Sequence, residues 1–179
     1  MTGFVTQGFV RSMAAYNSEM NRRLYAAAGR LSDAERRRDR GAFFKSIHGT
    51  FNHLLWADSL WMSRFDGWEK PTVLQHDSGS FIAEFVALRQ AREAADAKIE
   101  AFAARADDAW LAEDQVWFSA SMQRDLRMLR GPLMMHFFNH QTHHRGQAHA
   151  MITAAGEATG DTDLFLMPSV LEAAGIALS

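Results

Sequence analysis

Between Phe43 and Trp61 the chain reads FFKSIHGTFNHLLWADSLW. Advanced at 100° per residue, Lys45, His48, Asn52, Ser59 and Ser63 gather in a polar stripe about 60° wide. Phe44, Ile47, Phe51, Leu54, Leu55, Trp56 and Leu60 cover most of the remaining girth. A helix that is apolar nearly all round has to be enclosed by other elements. Read as a helix over Ala42 to Phe65, this stretch predicts the interior of a helical bundle, with His48 as a surface histidine in the solvent stripe.

The rest of the chain supplies the enclosing helices. Phe9, Val10, Met13, Tyr16, Met20, Leu24 and Ala27 recur at three and four and predict a first helix over Thr6 to Leu31. Asn17 and Asn21 lie beside that stripe, either bonding across to a neighbouring helix or facing solvent. Ser32 and Glu35 form a capping-box pattern that opens a short helix before Gly41. Phe65 to Ser80 is rich in turn formers and reads as a loop. Phe81, Phe85, Leu88, Ala95, Ile99 and Phe102 mark a third long helix from Ser80 to about Ala106. From Trp110 to Met128 the helical period disappears, and Val116-Trp117-Phe118 followed by Ser119-Ala120-Ser121 predicts a short hairpin or irregular crossover over one end of the bundle. Gly131-Pro132 opens a fourth long helix that Gly156 closes. The tail, Asp161 to Ser179, reads as loop plus a short amphipathic helix over Pro168 to Ala174. The expected fold is all-α, a four-helix bundle in a single domain of 179 residues.

The fourth helix carries HFFNHQTHHRGQAH from His136 to His149, five of the chain's eight histidines. On the wheel Leu133, Phe137, His140, His144 and Met151 fall within about 60° of one another, which places His140 and His144 in an apolar face one turn apart. Imidazoles at i and i+4 can reach one metal ion, as in HExxH zinc sites. Gln141 follows His140, so the glutamate that serves as general base in that motif is missing. His149 falls on the far side with Thr142 and Phe138, while His136 and His143 flank the stripe as alternates. A third ligand is needed, and His53 supplies it: it lies about 110° from the polar stripe of its helix, among Gly49, Trp56, Ala57 and Leu60. The predicted site is therefore His53, His140 and His144, three neutral ligands that leave a coordination position open. Asp58 also faces inward and is expected to pair structurally with a group on another element rather than to ligate. Asn139 and Gln147 are further candidates to orient the ligating imidazoles. The paired Glu-x-x-His pattern of di-iron bundles is absent. His76-Asp77 matches the dipeptide of HD phosphohydrolases, but it sits in a loop without the further ligands of that motif.

Composition narrows the function classes. A net charge of −2 argues against an extended phosphate-binding surface, and the basic run at Glu35 to Arg40 is interrupted by acids and lacks aromatics. No nucleic acid is expected as a partner. There is no cysteine, hence no disulfide, thiolate ligand or cysteine nucleophile. No apolar run reaches membrane-spanning length and the MTGFVTQGF start has no leader pattern, so a cytoplasmic protein without a membrane partner is expected.

NHLLWADSLW (Asn52 to Trp61) and HFFNHQTHHRGQ (His136 to Gln147) resemble the two signature stretches of the DinB, or DinB/YfiT-like, family. AAYNSEMNRRL in the first helix, the capping turn and FFKSIHGTFNHLL extend the similarity over nearly the whole chain. The resemblance implies an up-down-down-up four-helix bundle and a divalent metal, zinc or nickel, held by histidines that fall on His53, His140 and His144. It also implies kinship with transferases and isomerases that use low-molecular-weight thiols; the damage induction behind the family name says nothing of mechanism. With no glutamate beside the histidine pair, the expected chemistry is transfer of a small thiol to a small-molecule electrophile, in surroundings formed by Trp56, Leu60, Phe137 and Trp117 or Phe118. A metal-dependent hydrolase and a non-catalytic metal-binding stress protein are the alternatives. A homodimer is left open.

Overall fold

The computed structural model describes residues 5–120 and 122–175, so Ser121 of the expected crossover and residues 176–179 of the tail lie outside the described residues. Helix α1 (Gln7–Arg30) is capped by the Thr6 hydroxyl, which accepts from the Phe9 amide at 3.3 Å. The Ser32 hydroxyl caps α2 (Asp33–Arg37) by accepting from Glu35 N, as the capping-box pattern requires. Then come α3 (Ile47–Phe65), a 3₁₀ turn over Gln75–Ser80, α4 (Phe85–Ala103) and the single turn α5 (Asp108–Leu111). The expected crossover is a hairpin, β1 (Asp114–Ser119) antiparallel to β2 (Arg124–Leu129), with Trp117 opposite Leu126. Helix α6 (Arg130–Ala154) carries the histidines, Gly156 follows it at φ 92°, and α7 (Pro168–Ala173) packs Val170 and Met167 against Met20 of α1.

Contacts between named residues give each helix its direction. Gln7 at the start of α1 bonds Asp108 and Ala104 just past the end of α4, and Tyr25 near the end of α1 stacks on Phe85 at the start of α4. These two helices are antiparallel. Phe9 meets Phe138 and Arg30 meets Glu157, so α1 and α6 run parallel. Asp58 meets Arg92 and Phe65 meets Phe102, so α3 and α4 run parallel; Trp61 meets His136, so α3 and α6 are antiparallel. The order is up-down-down-up. A parallel α3–α4 pair needs a return connection along the bundle, and the long 66–84 segment provides it.

Several sequence expectations are corrected. Helix α3 begins at Ile47 rather than Ala42. Gly41 at φ 76° and Lys45 at φ 65° turn the chain there, and the Ser46 hydroxyl caps the helix by accepting from the Gly49 amide at 3.0 Å. Helix α4 begins at Phe85 rather than Ser80. The polar stripe of α3 is not a solvent stripe: His48 is 4% and Asn52 0% exposed. Both bond Ile82, the His48 Nε2 at 3.1 Å from its carbonyl oxygen and the Asn52 Oδ1 accepting from its amide at 2.5 Å. These bonds hold the 80–84 segment across α3 and out of helical conformation. On α6 the buried face runs through Met134, Gln141, Arg145, Ala148 and Ile152. His140 and His144 therefore lie along its edge rather than in its middle. On α1, Phe9 is 40% exposed, while Asn17 and Asn21 are buried.

These corrections share a cause. The bundle interior contains a polar layer that hydrophobic periodicity cannot anticipate. Arg92, 2% exposed, holds Asp58 on α3 at 2.6 Å and Asp96 on its own helix at 2.9 Å. The Asn21 amide of α1 donates to both Asp96 oxygens at 3.0 and 3.1 Å. Asp58 thus pairs with a neighbouring helix, as expected. Arg145 of α6, 5% exposed, also acts on these carboxylates, so two guanidiniums face two carboxylates away from water. Burial raises Asp96 to about 6, against the pull of Arg92 and Asn21, and raises Asp58 as well, against the pull of Arg92. Apolar clusters lie above and below the layer: Phe65, Phe102, Phe137 and Phe138 at one end, Leu24, Phe51, Leu55 and Ile152 at the other.

Arg92→Met is expected to destabilise the fold by about 3–5 kcal/mol at pH 7, because two buried carboxylates lose their counter-ion. Their pKa values rise in the folded variant, so the folded state binds more protons than the unfolded chain and the penalty shrinks as pH falls from 7 to 5. Urea titrations at the two pH values check this. A penalty that grows on acidification would refute the account.

Candidate metal centre

His53 on α3 and His140 and His144 on α6 converge, with one ring nitrogen of each within 4.8 Å of the others. The structure thus brings together the set expected from the wheel. The i, i+4 spacing on α6 stacks two imidazoles on one edge, and the antiparallel α3 brings the third to them. His53 Nε2 lies 3.2 Å from His140 Nε2. Ligand atoms about 2.0–2.1 Å from a tetrahedral zinc are themselves about 3.3 Å apart, so this spacing fits a shared ion.

The other ring nitrogens set the tautomers. His53 Nδ1 lies 2.9 Å from the Ser78 hydroxyl, and His144 Nδ1 lies 2.8 Å from Gln147 Oε1. Donation from each Nδ1–H leaves the Nε2 lone pair free for a metal, as metal-bound histidines require. Gln147 was among the partners expected from sequence. Asn139 is exposed, and Asp58 is committed to Arg92.

Ser78 is fully buried, and its position traces back to α3. Asn52 and His48, one turn apart, grip both backbone groups of Ile82 and so fix the segment that follows the 3₁₀ turn. From the other side, the turn at Lys45 lays the Phe44 ring on the His53 imidazole, centroids 3.7 Å apart and 16° from parallel, with His144 5.4 Å away. Gly49 is required for this: a Cβ there would collide with the Phe44 carbonyl oxygen. Phe44, Asn52 and Ser78 escaped the sequence reading. Adjacency of Asn52 to His53 was the one available hint, because the bonds to Ile82 and Ser78 cross a loop whose path no local pattern reveals.

The remaining histidines separate from this group. His48 serves the loop; His149 Nδ1 lies 3.1 Å from the Thr159 hydroxyl. His143 is exposed, its Nε2 3.3 Å from the Gln147 amide nitrogen. His76 and Asp77 pair with each other on the surface. His136 stands one turn before His140 against Trp61, at the wall of a cleft of about 400 Å³. That cleft runs between α3, α6 and the hairpin. His53 and His140 form one end of it, Trp56 and Leu60 its floor and Trp117 its roof, and among the described residues no carboxylate lines it. Phe137, expected nearby, is in the core, and Phe118 is 58% exposed.

Burial, followed by the mutual repulsion of the imidazolium forms, lowers His53 to about 3 and His140 to about 4. Burial also lowers His144, against the bond to Gln147. All three are then neutral at pH 7, the form that ligates. In metal-free protein the ring-proton NMR signals of His53 and His140 are expected to titrate well below the ordinary value of about 6.5. The unfolded chain takes up these protons first, so the histidines' contribution to metal-free stability is complete above about 6.5 and is lost as pH falls toward the folded values. Midpoints near 6.5 for either residue would show that burial does not control the site.

No curated protein matches the chain by sequence. A family model, that of the DinB family, matches residues 2–172. The match takes in all four long helices together with the three convergent histidines, and the chain belongs to the DinB family.

Proposed function

We propose that His53, His140 and His144 hold a zinc or nickel ion and that the protein is a metal-dependent transferase joining a small thiol to a small-molecule electrophile. The observation that carries this reading is the carboxylate-free cleft that opens on His53 and His140. A structural metal site is closed by four protein ligands; three histidines beside a cleft leave room for a small molecule. A divalent ion at these three nitrogens supplies the positive charge that favours the thiolate form of a bound thiol near neutral pH.

The chain's own residues do the rest. Ser78 and Gln147 orient the imidazoles, and Phe44 covers their outer side. Trp56 is pinned by its indole N–H donating to the Val73 carbonyl at 2.8 Å and presents a fixed apolar floor. Hydrolysis by activated water would call for a general base, and among the described residues no aspartate or glutamate lines the cleft to act as one. A thiol needs none once it has lost its proton, and the chain, having no cysteine, must take that thiol from solution.

His53→Ala, His140→Ala and His144→Ala are each expected to abolish stoichiometric metal binding, measured by elemental analysis of untagged protein, while His76→Ala and His149→Ala retain it. Full metal content in folded His53→Ala would overturn the ligand assignment. Thermal melting should still show a cooperative fold after chelation, because the apolar clusters do not depend on the ion. Cobalt-loaded protein titrated with small thiols is expected to develop thiolate-to-metal absorption. Its absence, together with metal-dependent hydrolysis, would replace the transferase by a hydrolase.

A further inference from the structure

His53, Trp56, Ala57, Leu60, Trp61 and Arg64 follow one another at the i, i+3, i+4, i+7, i+8, i+11 spacing of a single helix face, and all six line the cleft. Eleven residues are about 16 Å of helix and return to within about 20° of the same direction. Arg64 thus stands three turns from His53 on the same wall, with the two tryptophans and Leu60 between them.

The Arg64 guanidinium is held over the Trp61 ring at 4.4 Å and lies 5.6 Å from the Trp117 ring, on the hairpin across the cleft. It has no carboxylate within ion-pair distance among the described residues, unlike Arg92 in the core, which has two. Its charge reaches His136, whose pKa burial and then Arg64 depress. Among the described residues Arg64 is the one charged side chain lining the cleft, and its planar fork is suited to a bidentate carboxylate. Stacking between aromatic rings fixes the fork without using its hydrogen-bonding edge.

We propose that Arg64 is the anion-recognition residue of this cleft, and that the molecule bound there is elongated, with an apolar body along Trp56 and Leu60 and a carboxylate at the end remote from the three histidines. This rests on the reading of the cleft as the substrate site, but not on the molecule's being a thiol. The hairpin then has a purpose in recognition, because Trp117 completes the clamp that α3 begins with Trp61.

Four probes separate the claims: octanoate, 1-octanol, 8-mercaptooctanoate and 8-mercaptooctanol. Binding is read by quenching of tryptophan fluorescence on zinc-loaded protein, and coordination by absorption on cobalt-loaded protein. Each carboxylate is expected to bind at least about tenfold more tightly than its alcohol, the scale of a charge-assisted hydrogen bond. Arg64→Met, which keeps the apolar stem on Trp61, should remove that preference while leaving the alcohols unchanged. Arg64→Lys should retain part of it. Equal binding of octanoate and octanol, no saturable octanoate binding, or a preference that survives in folded Arg64→Met would each overturn the proposal. If the mercapto probes show the carboxylate preference without thiolate absorption, the thiol reading fails and the role of Arg64 stands.

Discussion

Arg92 between Asp58 and Asp96 is the contact on which the rest of the molecule depends. It ties α3 to α4, and Asn21 extends the tie to α1. Apolar side chains alone would let helices slide by a turn with little loss. A buried ion pair does not, because any slip leaves a charge without its partner in a medium where that costs several kcal/mol. The register of α3 fixed in this way is the register that puts His53 opposite His140 and His144.

The same layer explains the place of the three convergent histidines. Gln141 and Arg145 occupy the middle of the inward face of α6, level with the polar core, so the histidines at 140 and 144 are turned to its edge. An edge position is where a ligand set can be shielded on one side and reached on the other. Phe44, Ser78 and the loop held by Asn52 close the shielded side, and the cleft under the hairpin opens the other.

Electrostatics runs in opposite senses at these two centres. In the core, burial raises carboxyl pKa values against the pull of buried guanidiniums. Among the described residues of the cleft there is no acid, the histidines are driven to neutrality by burial, and the single guanidinium has no anion of its own. On our reading such asymmetry is completed from outside, by a metal at one end of the cleft and an anion at the other.

Hydrophobic period and cap residues sufficed, from the sequence alone, for the four long helices, the capped turn at Ser32, the hairpin and the inward placement of His53. The spacing of His140 and His144 likewise made a shared ligand set legible, because i and i+4 neighbours meet whatever surrounds them. The inward placing of His48 and Asn52 was decided only by tertiary structure, and so was the partner of Asp58. The meeting of Arg64 with Trp117 was decided there too. Each of these involves a polar group whose burial is favourable only when a partner distant in sequence satisfies it. Periodicity counts such residues as solvent-facing, since it registers the cost of burying them and not the bond that offsets it.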